Sequence, residues 1–325
     1  MSEARVQLLQ ALKCVSEVCD SQLLMASPSS SSLSPKAASL VCKGLMVASF
    51  NAFESFVERR WAELLDGSKS SLASFQDLPD ETQTRMLQNV VAVLGRYHFD
   101  LEALDDFKGR LIEVGDFFAN VNKTAGSVHP FVGRWKGSNI SASELAKGLS
   151  CFHVYQPWKS MQAIYDVVLG ASGTSTGTNL QMVFRGAVED RHAAAHEMRT
   201  SITRLSLSEV PRNLRDVAFC FDVLASSAVY LMHCADRGFL RERQYVKPSV
   251  IGRYWEVRER KKGFAAYVRS DPFSSPVCQV ASRRANKVEG DHDELVQWVR
   301  RQRKGIEFIV DLSPTGSLVD WETCV

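Results

Sequence analysis

An arginine and a histidine five positions apart stand in the run Val188-Glu189-Asp190-Arg191-His192-Ala193-Ala194-Ala195-His196-Glu197. The guanidinium of Arg191 is a permanent cation whose fork matches the oxygens of a phosphate. The imidazole of His196 belongs to the one side-chain class that ordinarily titrates near neutral pH. Together these groups suit metal-free cleavage of a phosphodiester that carries its own nucleophile. In RNA the 2′-hydroxyl attacks the adjacent phosphorus. A base removes its proton, an acid protonates the leaving oxygen, and a cation holds the charge that develops on phosphorus.

The same run admits two other readings. His192 and His196 are four residues apart, so their rings face the same way and can share a zinc ion, with Asp190 or Glu197 supplying oxygen. Ala193 stands where the glutamate of a His-Glu-x-x-His metalloprotease helix would be, which leaves that reading without its general base. The third reading is structural, with Arg191 and His196 pairing with carboxylates on a helix surface.

Positioning such a pair requires a helix. Five residues of α-helix turn through about 500°, which leaves Arg191 and His196 roughly 140° apart. One copy therefore does not bring both onto a single face. Two copies meeting across a two-fold axis bring two arginines and two histidines into one cleft. Ala193, Ala194 and Ala195 are small enough for close helix approach there. Asn179 is placed to cap this helix, and Leu180, Val183 and Val188 give it an apolar side.

The rest of the chain predicts a mainly helical protein. Apolar spacing gives helices over 3–25 and 35–65, with Ser34 as cap and Pro35 in the first turn of the second. The serine-rich stretch at 27–32 separates them. Residues 66–178 read as a helical insertion, with helices over 77–95, 100–118, 141–149 and 157–169. The loops are 123–139 and 170–178; the second has glycines but no P-loop lysine, so it reads as a connection. A long helix is expected from Ser208 to Asp236, closed by Gly238. After it, 254–257, 263–268, 307–312 and 318–321 read as strands, 293–303 as a helix and 314–316 as a hairpin turn. The expected domains are thus a helical one over 1–238 and a small basic α+β domain over 239–325.

This order of elements resembles the RiboL-PSP branch of HEPN domains. In that branch a Glu-containing apolar helix is followed by an insertion, an acidic-Arg-polar-x-x-x-His run and a closing long helix. Ser49-Phe50-Asn51-Ala52-Phe53-Glu54-Ser55-Phe56-Val57 looks like the first element, Glu189 to His196 the second and 208–236 the third. Where the family often has Asn after the arginine and a small residue after the histidine, this chain has His192 and Glu197. The resemblance implies a HEPN-like helical bundle and a metal-independent endoribonuclease, with RNA as substrate, no cofactor and a homodimeric site. Arg191 would hold the phosphate and His196 would move protons. His192 or Asp190 would orient His196, and Glu54 would orient Arg191. It further implies a toxin or antiviral-defence effector with a possible regulatory protein partner. HEPN folds also serve as nucleotide-binding or protein-interaction scaffolds, which is the alternative.

Charge adds a second feature. The chain carries a formal +2, yet residues 237–304 hold 17 Lys and Arg against 8 Asp and Glu. That local excess points to a polyanion. Within it, Arg258, Arg260, Lys261 and Lys262 alternate with Tyr254, Trp255 and Phe264, a pattern that suits phosphate contact with base stacking. The alternative is a solvated surface over a core. His98, His129, His153 and His233 are isolated, and His292 lies among Asp291, Asp293 and Glu294; all five read as structural. None of the eight cysteines forms a C-x-x-C pair, so they read as buried, reduced thiols. No signal sequence or membrane-spanning run is evident, so a cytoplasmic protein is expected.

Overall fold

A computed structural model describes residues 2–21, 34–68, 75–95, 104–120, 139–170, 178–197, 204–242, 244–251, 253–260, 263–270 and 289–325. The described residues are mainly helical, with one small sheet towards the C-terminal end. Residues 1–60 with 177–219 form one compact unit, and 61–176 with 220–325 a second.

The first unit contains α1 (Glu3–Asp20) and most of the long α2 (Pro35–Ser68). It also holds α7 (Leu180–His196) and the first half of α8 (Arg204–His233). Ser2 caps α1, and the backbone N–H of Ala37 donates to Ser34 Oγ at 3.3 Å at the start of α2. Met46, Phe50, Phe53, Phe56 and Val57 of α2 are buried, at the three- and four-residue spacing of one helix face.

The second unit contains the helices α3 (Asp80–Leu94), α4 (Leu104–Asn120), α5 (Ala142–Cys151) and α6 (Pro157–Val168). Trp61 anchors it: its ring stacks on Phe152 at 4.3 Å and meets Phe221 edge-on at 5.3 Å. The short α9 (Arg237–Leu240) leads to strands β1 (Arg253–Arg260), β2 (Gly263–Ser270) and β3 (Glu289–Gly290). Then come α10 (His292–Gln302), β4 (Ile309–Leu312) and β5 (Leu318–Glu322). The sheet order is β3-β2-β1-β4-β5, antiparallel except where β1 runs parallel to β4. One sheet face, with Trp255, Val257, Ala266 and Ile309, packs on Leu295 and Val299 of α10.

This division cuts across the expected boundary at 238. The second half of α8 is bound to the sheet by buried polar contacts: Trp321 Nε1 donates to Asp222 Oδ2 at 2.8 Å, and Ser226 Oγ to Thr323 Oγ1 at 3.0 Å. Residues 239–325 therefore share their core with helix 220–233, which the sequence assigns to the helical domain.

Other expectations need correction. α8 begins at Arg204 rather than Ser208, and carries Pro211 inside it. It ends before Gly238. Ala235 adopts the left-handed conformation (φ 49°), and the N–H groups of Asp236 and Ala235 donate to the carbonyls of Leu231 and Met232. This is a Schellman ending built on alanine. Gly238 instead lies in α9, which Asp236 caps. Cys19, Cys42, Cys151 and Cys220 are buried, but Cys14 and Cys234 are exposed. One helix, Lys36–Asp66 within α2, is long and apolar enough to cross a membrane by length and composition, where the sequence reading expects none. Its aromatic residues Phe50, Phe53, Phe56 and Trp61 are all buried within the fold.

Candidate functional site: the C-terminal end of helix α7

Helix α7 starts where Asn179 predicts. The side-chain oxygen of Asn179 accepts the N–H of Met182 at 2.9 Å. Leu180, Phe184 and Ala187 are buried at helical spacing. Phe184 packs against Phe50 (5.9 Å between ring centroids) and Phe53 (5.3 Å) of α2. At the other end, Lys43 Nζ donates to the carbonyl of Glu197 at 2.7 Å. Residues 43 to 53 of α2 thus run antiparallel to residues 197 to 184 of α7.

That anchoring leaves the last two turns of α7 to present polar groups. His192 and His196 are both exposed. Their rings lie 4.7 Å apart between centroids, tilted by 52°. Arg191 is half-buried, and its Nε is buried with no hydrogen-bond acceptor among the described residues. A buried N–H on a permanent cation is a costly group to leave unpaired. Asp190 is exposed on the same turn. Partial desolvation, then the neighbouring Glu189 carboxylate, hold its carboxyl above its ordinary value.

Glu54 does not join this group. The antiparallel register sets it on the Met182 side of the phenylalanine contacts, roughly 14 Å along the helix from the level of Arg191 at 1.5 Å per residue. The role of orienting Arg191 therefore does not fall to Glu54. For a metal, the expected pairing of the two imidazoles on one side is present. Among the described residues, however, no group of three or more His, Cys, Asp or Glu is placed to hold an ion.

The first unit also holds a buried charged residue that motif reasoning missed. Asp216 of α8 is 7% exposed, with Oδ1 unpartnered. Burial pushes its carboxyl up to about 7, against the pull of Arg215 and Arg212. The Nε of Arg215 is likewise buried without an acceptor, and burial lowers that guanidinium's affinity for its proton. The signal in the sequence is an aspartate inside the apolar run that begins at Leu214 and continues through Val217 to Leu224.

The expected RNA-binding tract is only partly as read. Arg258 Nη2 pairs with Glu256 Oε1 at 2.8 Å, so it is not a free surface cation. Arg260 is exposed and donates to Tyr267 Oη at 2.7 Å. Lys261 and Lys262 lie outside the described residues. The sequence reading missed Arg269 and Tyr267, because only the pairing of β1 with β2 sets them beside Glu256.

Compared with models of known families, with curated proteins and with solved structures, the chain finds no match.

Proposed function

We propose that the protein is a metal-independent endoribonuclease of HEPN-like type that acts as a homodimer in the cytoplasm. The observation that carries this reading is the pair of exposed imidazoles, His192 and His196, 4.7 Å apart at the same end of α7 as Arg191. A guanidinium with an unspent buried N–H sits one residue before His192 and within five of His196. In the proposed reaction His196 takes the proton of the 2′-hydroxyl and the O2′–P bond forms. Arg191 holds the charge on the phosphoryl oxygens. The P–O5′ bond breaks, and a protonated imidazole, His192 or the partner copy's histidine, gives its proton to O5′. The products are a 2′,3′-cyclic phosphate and a 5′-hydroxyl. The last turn, with Ala193 and Ala194 half-buried and Ala195 exposed, offers small side chains on which a second copy can lie close. A toxin or defence effector under the control of a regulatory partner is the cellular role that fits such an activity.

The test is cleavage of single-stranded RNA by the purified protein in EDTA, with the new ends identified and the particle mass measured. Cyclic phosphate ends from a dimer, lost in Arg191→Ala, support the reading. A monomer that leaves RNA intact overturns it.

A scaffold reading draws on a different observation. Leu40 of α2 and Met182 of α7 are 71% and 59% exposed, which gives the first unit apolar surface for a protein partner. An intact dimer without cleavage, with binding lost in Leu40→Glu, would favour it.

A further inference from the structure

We propose that the partly or fully exposed side chains of Arg258, Arg260, Tyr267 and Arg269, which rim the otherwise buried face of β1–β2 turned away from α10, are a contact surface for single-stranded RNA; Tyr254, Glu256 and Ala265 of that face are buried beneath them. The proposal rests on the reading of RNA as substrate. It adds residues and a binding mode that the linear tract does not contain.

Alternation along paired strands creates this face. Glu256, Arg258 and Arg260 occupy every second position of β1, opposite Tyr267, Ala265 and Gly263 of β2, and Arg269 stands opposite Tyr254. Trp255, Val257 and Ala266 point the other way, into the α10 core. Two guanidiniums, of Arg258 and Arg269, thus meet one carboxylate, and that of Arg260 stands on the same face.

Glu256, only 3% exposed, is fully engaged. One oxygen accepts from Arg258 at 2.8 Å, and the other from Arg269 through both Nη2 (2.9 Å) and Nε (3.0 Å). That single negative charge cannot neutralise both arginines. Arg260 has no carboxylate at all among the described residues. Its side-chain partner is the neutral phenol of Tyr267, and its guanidinium carbon lies 5.2 Å from that ring's centroid. Arg269 lies 6.0 Å from the same centroid. Arg258, Arg260 and Arg269 with Glu256 together keep an excess of two positive charges, held by these contacts.

Two features select the occupant. The charge excess calls for an anion rich in oxygen acceptors. Guanidinium planes gathered at an aromatic ring stack on exposed bases, which a single strand offers and a duplex hides. Glu256 becomes the residue that pre-orders Arg258 and Arg269 for the strand.

The experiment uses the full-length protein and a short, mixed-sequence 2′-O-methyl oligonucleotide, which lacks the nucleophile and cannot be cleaved by the proposed reaction. Binding is followed by fluorescence anisotropy across salt concentrations. Arg260→Glu should weaken binding roughly tenfold or more. It should also flatten the log–log salt slope by about 0.7 for each phosphate the variant no longer neutralises. Arg260→Lys should keep the slope while losing affinity. A blunt RNA duplex should bind more weakly than the single strand. Parent-like affinity and slope in both Arg260→Glu and Tyr267→Ala, with melting unchanged, would overturn the proposal, as would equal binding of the duplex. The probe is uncleavable, so these outcomes do not depend on catalysis. A protein that binds through this face but cleaves nothing sinks the nuclease reading and leaves this one standing.

Discussion

The imidazoles of His192 and His196 stand 4.7 Å apart on the exposed side of α7, one helical turn from each other. One neutral and one protonated ring at that distance can divide the two proton transfers of RNA cleavage, the first as base and the second as acid. Two protonated rings would repel. His196→Ala should therefore abolish cleavage by about 10²–10³-fold or more. His192→Ala should cost less and narrow the pH–rate profile on one side. Equal, complete loss in both variants would instead make the pair a single unit. Unchanged cleavage by His196→Ala would remove it from the mechanism.

The two rings also provide the test of the metal reading. Cleavage should persist in EDTA, and His192→Ala should change neither metal content nor melting temperature. Elemental analysis that finds one zinc per chain, lost in that variant, would replace the proton-transfer assignment with a metal site.

Local chemistry made much of this legible. Asn179 and Ser34 announce their helices because a cap needs only its own three following residues. The turn at Pro314-Thr315-Gly316 is equally local, closed by the N–H of Gly316 on the Ser313 carbonyl with φ 84° at the glycine. The misses are long-range. Nothing in the linear tract indicates that Glu256 will hold Arg258 together with Arg269, since that grouping exists only in the β1–β2 register. The boundary at 238 failed for the same reason: Asp222 and Ser226 find their partners 99 and 97 residues later, in Trp321 and Thr323. Glu54 suited an orienting role by composition, and only the antiparallel pairing of α2 with α7 sets it too far along.

Asp216 makes the first unit's stability depend on pH. Its folded pKa, about 7, lies above the unfolded value near 3.9. The folded state therefore holds a proton that the unfolded state has lost. Stability should fall as pH rises from about 4 to about 7 and then level off. The full effect is on the order of a few kcal/mol, since one pKa unit is worth about 1.4 kcal/mol. Asp216→Asn should flatten that slope and be the more stable protein at pH 8. Urea titrations across pH check this, and an unchanged slope in the asparagine variant counts against a buried neutral carboxyl.

The second unit carries a different pH-sensitive contact. His292 Nε2 meets Asp311 Oδ2 at 2.7 Å, and Nδ1 meets Asp293 Oδ1 at 3.2 Å, joining the start of α10 to β4. Burial works against charge on His292, but the hydrogen bonds and charges of Asp293 and Asp311 outweigh it and raise its pKa. A raised histidine stabilises fully below its unfolded pKa and loses that contribution as pH climbs through the folded value. Asp311 is itself raised, chiefly by burial, so it too favours lower pH. Amide hydrogen exchange in α10 should quicken from pH 6 to pH 8 beyond the intrinsic rate. Asp311→Asn should remove most of that dependence.

Ala235 ends α8 in a conformation that suits glycine. Its φ of 49° brings Cβ too close to the carbonyl oxygen that follows it, at a cost of roughly 1–2 kcal/mol for an L residue. The two Schellman hydrogen bonds from Asp236 and Ala235 nevertheless hold it there, and Asp236 caps α9 immediately afterwards. Glycine at 235 relieves the strain, while the freer unfolded chain takes back about 0.5–1 kcal/mol. Ala235→Gly should therefore raise stability by roughly 0.5–1 kcal/mol, seen as a higher urea midpoint with an unchanged slope. Valine at the same position should lower it by more, because a β-branched side chain fits the left-handed region worst. If glycine and valine shift the midpoint in the same direction, the ending is set by the packing of Phe239 and Leu240 rather than by the backbone at Ala235.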